Sequence, residues 1–436
     1  IKMNPGKQNS LGQIQTGSKT YTWYRTYSKQ KNDFANSGDI YDNSLALTYF
    51  VSKGNHKEAW ELAHGFLYIM NTIEKYLPDK SSYYERVKHY RGCKPRYTMS
   101  TEGIIYPGND SWMGMDTGNN SYMAISLFKF GHAYNTFLMS VYGKNYFIQA
   151  AYDITRFIME SCACKPQTVY LSTSNKNGEE MKQTLTNNVD TVAYIARPFT
   201  DWYMSYLSTE HMIDMYALGN IQFKNYNSTH YPGADPKAMF GECIRVSQSY
   251  VHHIYGKENY DIGSGLCYTN QRVPTDQIDG SHSLPGPYVT EIKIRHTDFK
   301  TAEEWQTDTS YNPPPVDTQT WNMLADCEDD PVRKKKSLDW AIKHCFVRDT
   351  IHGLSGCYEK SQEKQSAPHM ADISSVDCDN VPEEETLYGF RFTTWGSGIQ
   401  WENAGSGVMA LMKAELKYKF NSYHDHIEKI ISSIIK

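Results

Sequence analysis

The sequence predicts an all-α protein, a barrel of paired helices with long loops inserted between the pairs. Three observations support this fold class. Apolar residues recur at helical steps, the helical segments come in pairs, and the first helix of each pair opens on a cluster of polar residues. No long segment of alternating Val, Ile or Thr competes for a major sheet. We predict that residues 1–436 form a single domain.

The helical period is clearest in residues 55–77, where apolar side chains recur at steps of three and four and form one buried stripe. The same period returns in four later segments: 124–138, 147–158, 338–345 and 427–434. Grouped by the loops that separate them, the helices predict five hairpins, at about 41–77, 120–161, 208–256, 317–348 and 401–436.

Long loops separate these hairpins and hold most of the Pro and Gly residues. They cover residues 78–118, 162–207, 257–316 and 349–400. Loops of this length are uncommon in compact domains unless they serve a function, so we interpret them as the walls of a cleft, some of them carrying short β-ribbons.

The polar clusters at the helix starts recur roughly every 80 to 110 residues, as in an internal repeat. They begin at Asp42, Asn119, Ser208, Asp317 and Trp401. If the first helices form an inner ring, all five clusters lie at one end of it. Helix N-termini with unpaired N–H groups would be gathered at the same end.

Composition excludes some partners and favours others. The net charge is −5 and the pI is about 6.3, without a broad basic stripe, so we expect no nucleic-acid partner. Aromatic residues make up 14% of the chain, 34 of them Tyr, at a mean hydropathy of −0.63. Such rings suit the apolar faces of sugars, although core and interface roles are equally physical. No apolar run has the roughly 18 residues of a transmembrane helix.

Nine cysteines without a double CxxC pattern favour disulfides over a zinc site, and we expect no metal and no cofactor. The odd count leaves one thiol free or paired with another chain, which would permit self-assembly. Three N-glycosylation sequons, at Asn109, Asn119 and Asn227, fit a secretory route. We therefore expect a secreted glycoprotein.

Carboxyl groups at the helix starts are the candidate catalytic residues: Asp42, Asp116, Glu210, Asp214, Asp317 and Glu402. Glu210 and Asp214 are spaced i, i+4 and share a helix face, with His211 beside them. Helix capping alone explains Asp42, Asn120 or Asp317. Glutamate is a poor N-cap, so Glu210 and Glu402 favour a functional interpretation.

Five helix-start stretches follow one another in the chain: YDNSLAL at 41–47, GNNSYMA at 118–124, STEHMID at 208–214, DTQTW at 317–321 and WENAG at 401–405. In sequence and in order they resemble the inner-helix motifs of six-hairpin glycosidase-like proteins. The resemblance runs from about residue 20 to residue 420, and STEH and DTQTW are its most specific parts.

The resemblance implies an (α/α)6 toroid whose funnel binds a carbohydrate and whose acidic residues hydrolyse it, usually with inversion. Glu210 would be the general acid, and Glu402 or Asp317 the base. The sugar subsites would be lined by polar and aromatic residues at matching positions: Asp42, Asp116, Asn120, His211, Asp214, Gln319, Trp321, Trp395 and Trp401.

Two alternatives to a hydrolase stay open. One is an inactive glycan-binding or structural protein of an extracellular assembly on the same scaffold, since a fold does not fix a function. The unpaired cysteine, the sequons and the long insertions suit that alternative. The other is a lyase, with Tyr41 as the base and Arg197 neutralising a uronate.

Overall fold

The computed structural model describes most of the helical part of the chain and several of its strands. The described residues are 13–16, 19–24, 37–72, 93, 96–99, 105–107, 117–164, 170–174, 180–184, 191, 193–194, 204–231, 235–254, 291–295, 306–308, 315–351, 382–392 and 398–436. The chain divides into two compact units. The first unit comprises Ile1–Lys165, Ala193–Ser205 and Asp214–Val246, and the second comprises Pro166–Val192, Tyr206–Ile213 and Ser247–Lys436. The single domain stays a prediction.

Helices dominate the described residues of both units. Their bounds are α1 Ile40–Lys53, α2 His56–Thr72, α3 Thr117–Ala133, α4 Asn135–Tyr142, α5 Tyr146–Ser161, α6 Thr209–Lys224, α7 Lys237–Ile254, α8 Val316–Ala325, α9 Pro331–Cys345, α10 Trp401–Tyr418 and α11 His424–Ile435. The all-α class built from helical hairpins with long insertions is confirmed. Closure of the hairpins into a ring stays a prediction.

The hairpin predicted over 120–161 differs in detail, because three helices occupy it. Gly143 has a φ of 67° and ends α4 in the left-handed conformation that glycine adopts without strain. Asn145 then caps α5, its side chain accepting from the Ile148 N–H at 3.1 Å. A capped, separate short helix is hard to distinguish from a helix end by apolar period alone.

Short strands lie between the helices, as the interpretation of the loops predicted. They are β1 Gln13–Thr16, β2 Lys19–Thr22, β3 Ser37–Asp39, β4 Arg96–Met99, β5 Ile105–Pro107, β6 Ala163–Cys164, β7 Tyr170–Ser174, β8 Glu180–Thr184, β9 Ala193–Tyr194, β10 Met204–Ser208, β11 Glu291–Arg295, β12 Gln306–Asp308, β13 Phe346–Thr350 and β14 Thr386–Phe390. Antiparallel pairs include β1–β2, β3–β4–β5, β7–β8, β11–β12 and β13–β14. β12 runs parallel to β7.

Each unit has its own apolar core. In the first unit, rings from different elements pack edge to face, Trp23 on Phe66 at 5.3 Å and Phe130 on Phe147 at 4.6 Å between centroids. In the second unit, α8, α9, α10, α11 and β14 enclose a buried cluster that includes Phe390. A Cβ at Gly407 of α10 would overlap the Phe390 ring, so glycine lets this helix pack directly on β14.

The cysteines of the described residues do not form the predicted disulfide framework. Within the described residues, five of them are buried and belong to no disulfide, namely Cys93, Cys162, Cys243, Cys327 and Cys345. The side chains of Cys164, Cys267, Cys357 and Cys378 lie outside the described residues. A reduced, buried Cys packs as a small apolar side chain. Within the described part of the chain, no helix has both the length and the apolar character needed to cross a membrane.

Candidate functional site

The starts of helices α8 and α10 are held side by side by one short segment of chain. The N–H of Val316, the first residue of α8, donates to the Phe392 carbonyl at 2.8 Å. The N–H of Gln400, which precedes α10, donates to the Phe390 carbonyl at 2.9 Å. Two backbone groups at helix N-termini, which have no partner inside their helices, are thereby satisfied. The second residues of these helices, Asp317 and Glu402, consequently lie at neighbouring helix ends.

Asp317 is the buried member of this pair, with 5% of its surface exposed. Its Oδ1 accepts from the N–H of Thr318 at 2.6 Å, and the Thr318 hydroxyl in turn donates to the Pro315 carbonyl at 3.0 Å. Burial and, to a smaller extent, the charge of Glu402 raise the pKa of Asp317 to about 7, against the lowering effect of the backbone hydrogen bonds. Asp317 is therefore about half protonated at neutral pH.

Glu402 has the opposite environment, since its side chain is exposed to solvent at the start of α10. Trp401 beside it is 47% exposed and offers a flat apolar surface. A buried carboxylic acid beside an exposed carboxylate is an arrangement in which one group can donate a proton while the other accepts one. The two environments thus differ in the way that a general acid and a general base require.

Beneath the pair lies a buried arginine that sequence reasoning missed. The Nε and Nη2 atoms of Arg391 donate to the His344 carbonyl at 3.1 and 2.5 Å, and its backbone N–H donates to the Cys345 carbonyl at 2.9 Å. Burial raises the pKa of the Cys345 thiol to about 12, while Arg391 lowers it and Asp317 raises it. Both charged groups thus act on one thiol. The sequence signal was the Phe-Arg-Phe run between β14 and the loop, in which a charged residue interrupts an apolar segment.

Gln319 and Trp321, predicted to bind sugar, are buried in α8. The Gln319 amide donates to the Thr318 hydroxyl at 2.9 Å and accepts from the Ser337 hydroxyl of α9 at 2.9 Å. These bonds join α8 to α9 and hold the turn that carries Asp317. Their contact with a sugar stays a prediction, whereas the structural role of Gln319 is visible.

Helix α6 carries the predicted cluster Glu210, His211 and Asp214. Glu210 is partly exposed, and His211 and Asp214 are buried. The Ser208 hydroxyl accepts from the His211 N–H at 3.4 Å, so Ser208 acts as the cap of this helix. Glu210 and Asp214 share one helix face, as their spacing predicts. The catalytic role of Glu210 stays a prediction.

The helix starts of the first unit use their polar residues for structure. The Asn120 side chain accepts from the Cys93 N–H at 2.6 Å and donates to the Cys93 carbonyl at 2.8 Å. In α1, Asn43 does the same with Tyr24, at 2.9 and 3.0 Å. Each side-chain amide thus bonds to both the N–H and the carbonyl of one residue, as the backbone of a neighbouring β-strand would. Asn43 and Asn120 occupy the fourth position of their helices, so these two of the five helix starts share one arrangement. Asp42 is partly exposed beside Asn43.

The predicted glycosylation sites differ in their surroundings. Asn227 is exposed, and its side chain accepts from the N–H and the hydroxyl of Thr229. Asn119 lies inside α3, partly buried, and accepts from the Tyr41 N–H at 3.2 Å. Asp116, Trp395, Arg197 and Asn109 lie outside the described residues. Glycosylation and secretion stay predictions.

Comparison with known proteins gives likenesses of structure but not of sequence. No protein-family model matches the chain, and no curated protein does so. The chain is similar to a cold-adapted family 8 xylanase solved in complex with substrate, at 9% identity and a TM-score of 0.47, over 95% of this chain and 79% of the other. It is similar to a family 8 endoglucanase of Klebsiella pneumoniae at 10% identity and a TM-score of 0.36, over 71% and 73% of the two chains.

An alpha-amylase from Clostridium perfringens is also similar, at 10% identity and a TM-score of 0.41, over 95% of this chain and 81% of the other. The carboxyl pair at the starts of α8 and α10, rather than these likenesses, carries the functional conclusion.

Proposed function

We propose that this chain is a glycoside hydrolase that cleaves a polysaccharide or glycan with Asp317 and Glu402 as its two carboxyl groups. One observation carries the proposal: a buried aspartic acid, with a pKa of about 7, lies under the influence of an exposed glutamate at the neighbouring helix start. Hydrolysis of a glycosidic bond needs one carboxylic acid and one carboxylate, which is the asymmetry that these two environments create.

In the proposed reaction, the Asp317 carboxyl donates its proton to the glycosidic oxygen as the bond from that oxygen to the anomeric carbon breaks. The Glu402 carboxylate takes a proton from water, and the water oxygen bonds to the anomeric carbon from the opposite face of the sugar. The product is inverted, and proton exchange with solvent restores both groups. This assignment makes Asp317 the acid in place of Glu210 and keeps Glu402 as the base.

Trp401 supports substrate binding in this proposal. Half of its surface faces solvent next to Glu402, and an indole ring can pack on the apolar face of a pyranose while its N–H donates to a hydroxyl. The long insertions would supply further sugar contacts, including the predicted ones at Trp395 and Asp116. Secretion would bring such an enzyme to polysaccharides outside the cell.

The test is hydrolysis of a panel of polysaccharides and of aryl oligosaccharides by the wild type and three variants, Asp317→Asn, Glu402→Gln and Glu210→Gln. Loss of a general acid or base lowers kcat by about 10²–10⁴-fold. We expect Asp317→Asn to show that loss on polysaccharides and a much smaller loss on aryl substrates, whose leaving groups need little protonation. Glu402→Gln should lose activity on both classes.

Asp425→Asn is the matched control, since Asp425 is also the second residue of a helix, α11, but is exposed there. It should keep wild-type activity. If Glu210→Gln rather than Asp317→Asn shows the dependence on leaving group, Asp317 is not the acid. If the wild type hydrolyses none of the panel yet binds one of its glycans, the chain is a binding protein and the proposal fails.

A further inference from the structure

A second cluster of chemically active side chains lies in the second unit, apart from the carboxyl pair. Nε2 of His252, near the end of α7, lies 3.2 Å from Oε1 of Glu328 and 3.3 Å from Oδ1 of Asp329. The three ligand atoms all lie within 4.8 Å of one another. Glu328 and Asp329 belong to the connection between α8 and α9. Residues 76 positions apart in the chain thus bring an imidazole and two carboxylates to one point.

The imidazole nitrogen is not placed as a hydrogen-bond donor would be. Within the described residues, His252 Nε2 is buried and forms no hydrogen bond of acceptable geometry, although two carboxylate oxygens lie at contact distance. It lies almost equally far from both oxygens. Tetrahedral ligands around a zinc ion at 2.0–2.2 Å are separated by about 3.4 Å, close to both separations found here.

Neighbouring groups hold the Glu328 carboxylate in place. The Glu328 side chain is 1% exposed, and its Oε1 accepts from the Asp330 N–H at 3.0 Å. The Glu328 N–H donates to the Asn322 side chain at 2.8 Å. Arg333 lies 3.5 Å from the other oxygen, Oε2, and so balances charge on the side away from His252.

The helix that carries His252 is tied to the same connection. Gln248, one turn earlier on α7, donates to the carbonyl of Cys327 at 3.0 Å, and Cys327 directly precedes Glu328. The distance from His252 to the carboxylates is therefore fixed by a second contact rather than by the ligand atoms alone. A preorganised set of ligands is what a metal site requires.

We propose that His252, Glu328 and Asp329 bind a divalent first-row transition-metal ion, with Zn²⁺ the preferred ion. One imidazole nitrogen with two carboxylate oxygens suits zinc and its neighbours, whereas Ca²⁺ and Mg²⁺ take oxygen ligands alone. Asp329 is 75% exposed, which leaves water access for a fourth ligand. The ion links α7 to the α8–α9 connection and stabilises the second unit. The proposal is independent of the carboxyl pair.

The test is Zn²⁺ binding to the metal-stripped full chain, measured by calorimetry together with the Zn²⁺-induced rise in Tm. The decisive variants are Asp329→Asn and Asp330→Asn, which remove the same charge at adjacent positions. Asp330 caps α9 by accepting from the Val332 N–H at 2.8 Å, and asparagine caps equally well, so this control keeps the fold.

We expect the wild type and Asp330→Asn to bind one more Zn²⁺ than Asp329→Asn, or to bind it at least about tenfold more tightly, and to show the larger rise in Tm. His252→Gln should match Asp329→Asn. Binding to the cysteines cannot imitate this pattern, because all four proteins keep the same thiols. Equal stoichiometry, affinity and Tm shift in Asp329→Asn and Asp330→Asn would overturn the proposal.

Discussion

The two ends of helix α8 carry the same residue type in opposite electrostatic states. At its start, burial and the charge of Glu402 raise the pKa of Asp317 to about 7. At its end, burial alone would raise the pKa of Asp326, but hydrogen bonds from Lys413, Lys417, Tyr418 and Lys334 hold it well below the usual range. Nine positions along the chain separate a carboxyl group whose pKa is raised from one whose pKa is lowered.

This contrast is the reverse of what the helix itself favours. The N-terminus of a helix stabilises a negative charge and the C-terminus destabilises it, each by about 0.3–1 kcal/mol. Asp317 lies at the favourable end and Asp326 at the unfavourable one. Tertiary surroundings therefore outweigh the local field at both ends. One end serves the stability of the second unit, and the other carries the proton donor of the proposed reaction.

The largest expected effect comes from removing the charge at the end that stabilises the fold. Asp326→Asn keeps the left-handed backbone, at φ 61°, that asparagine tolerates, but leaves the buried Lys334 ammonium without its carboxylate at 3.1 Å. An uncompensated buried charge costs about 3–5 kcal/mol. Urea denaturation should show this loss in the free energy of unfolding, and Lys335→Met, which breaks an exposed pair with Asp339, should cost less than about 1 kcal/mol.

The helix starts of the first unit extend the comparison, since their polar residues serve structure. Asn120→Ala leaves both the N–H and the carbonyl of Cys93 without this side-chain partner. We expect the free energy of unfolding to fall by about 1–3 kcal/mol, because buried polar groups are left unsatisfied. Asn225→Ala is the control, since this exposed residue directly follows α6, donates to the Ile221 carbonyl of that helix and should change stability little. Equal losses of stability in Asn120→Ala and Asn225→Ala would show that Asn120 has no special structural role at its helix start.

The next expected effect on stability has the opposite sign, since it is a gain. Between the ordinary aspartate pKa of 3.8 and about 7, the unfolded chain releases the Asp317 proton while the folded chain retains it. The unfolded state then binds fewer protons, so this group lowers stability as pH rises through that window. Asp317→Asn should therefore be more stable than the wild type at pH 7 and similar to it at pH 4. Urea midpoints at both pH values measure this difference.

Asp326 contributes the opposite pH dependence. Its pKa is depressed, so its stabilisation is present above the ordinary value of 3.8 and is lost as pH falls below that value. The difference in the free energy of unfolding between Asp326→Asn and the wild type should accordingly become smaller in strong acid. A gain for Asp326→Asn, or a loss for Asp317→Asn, at pH 7 would contradict the contrast between the two ends.

Much of the fold could be predicted from sequence, because helices with one buried face repeat their apolar residues at fixed steps. The pairs α1–α2 and α10–α11 follow that period closely. The apolar period did not predict the break between α3 and α4, because the turn at Tyr134 interrupts the helix without interrupting the apolar pattern. The buried cysteines of the described residues do not form the disulfides that their number favoured. The number of cysteines does not determine where their side chains pack.

The candidate site was predictable as a set of helix-start residues but not as a pair. Asp317 and Glu402 both stood among the carboxyl groups expected at the rim. Which of the six carboxyl groups would be buried next to another one depends on tertiary structure. The segment from Phe390 to Phe392 anchors the starts of two helices that lie 85 residues apart in the chain. The pairing of the Asn120 side chain with the Cys93 backbone was equally unpredictable from the sequence. A polar residue at a helix start looks the same in sequence whether it caps the helix, pairs with another backbone segment or takes part in catalysis. The three lysines around Asp326 come from α9 and α10 and show no common motif.

We infer that burial and the charge of Glu402 together raise the pKa of Asp317 to about 7, and the direct measurement is NMR titration of the aspartate side-chain carboxyl carbons in the wild type and in Glu402→Gln. The account predicts an Asp317 pKa near 7 in the wild type and a lower value in Glu402→Gln, with Asp326 depressed in both. An Asp317 pKa near 4 in the wild type, or one that does not change when the Glu402 charge is removed, would contradict it.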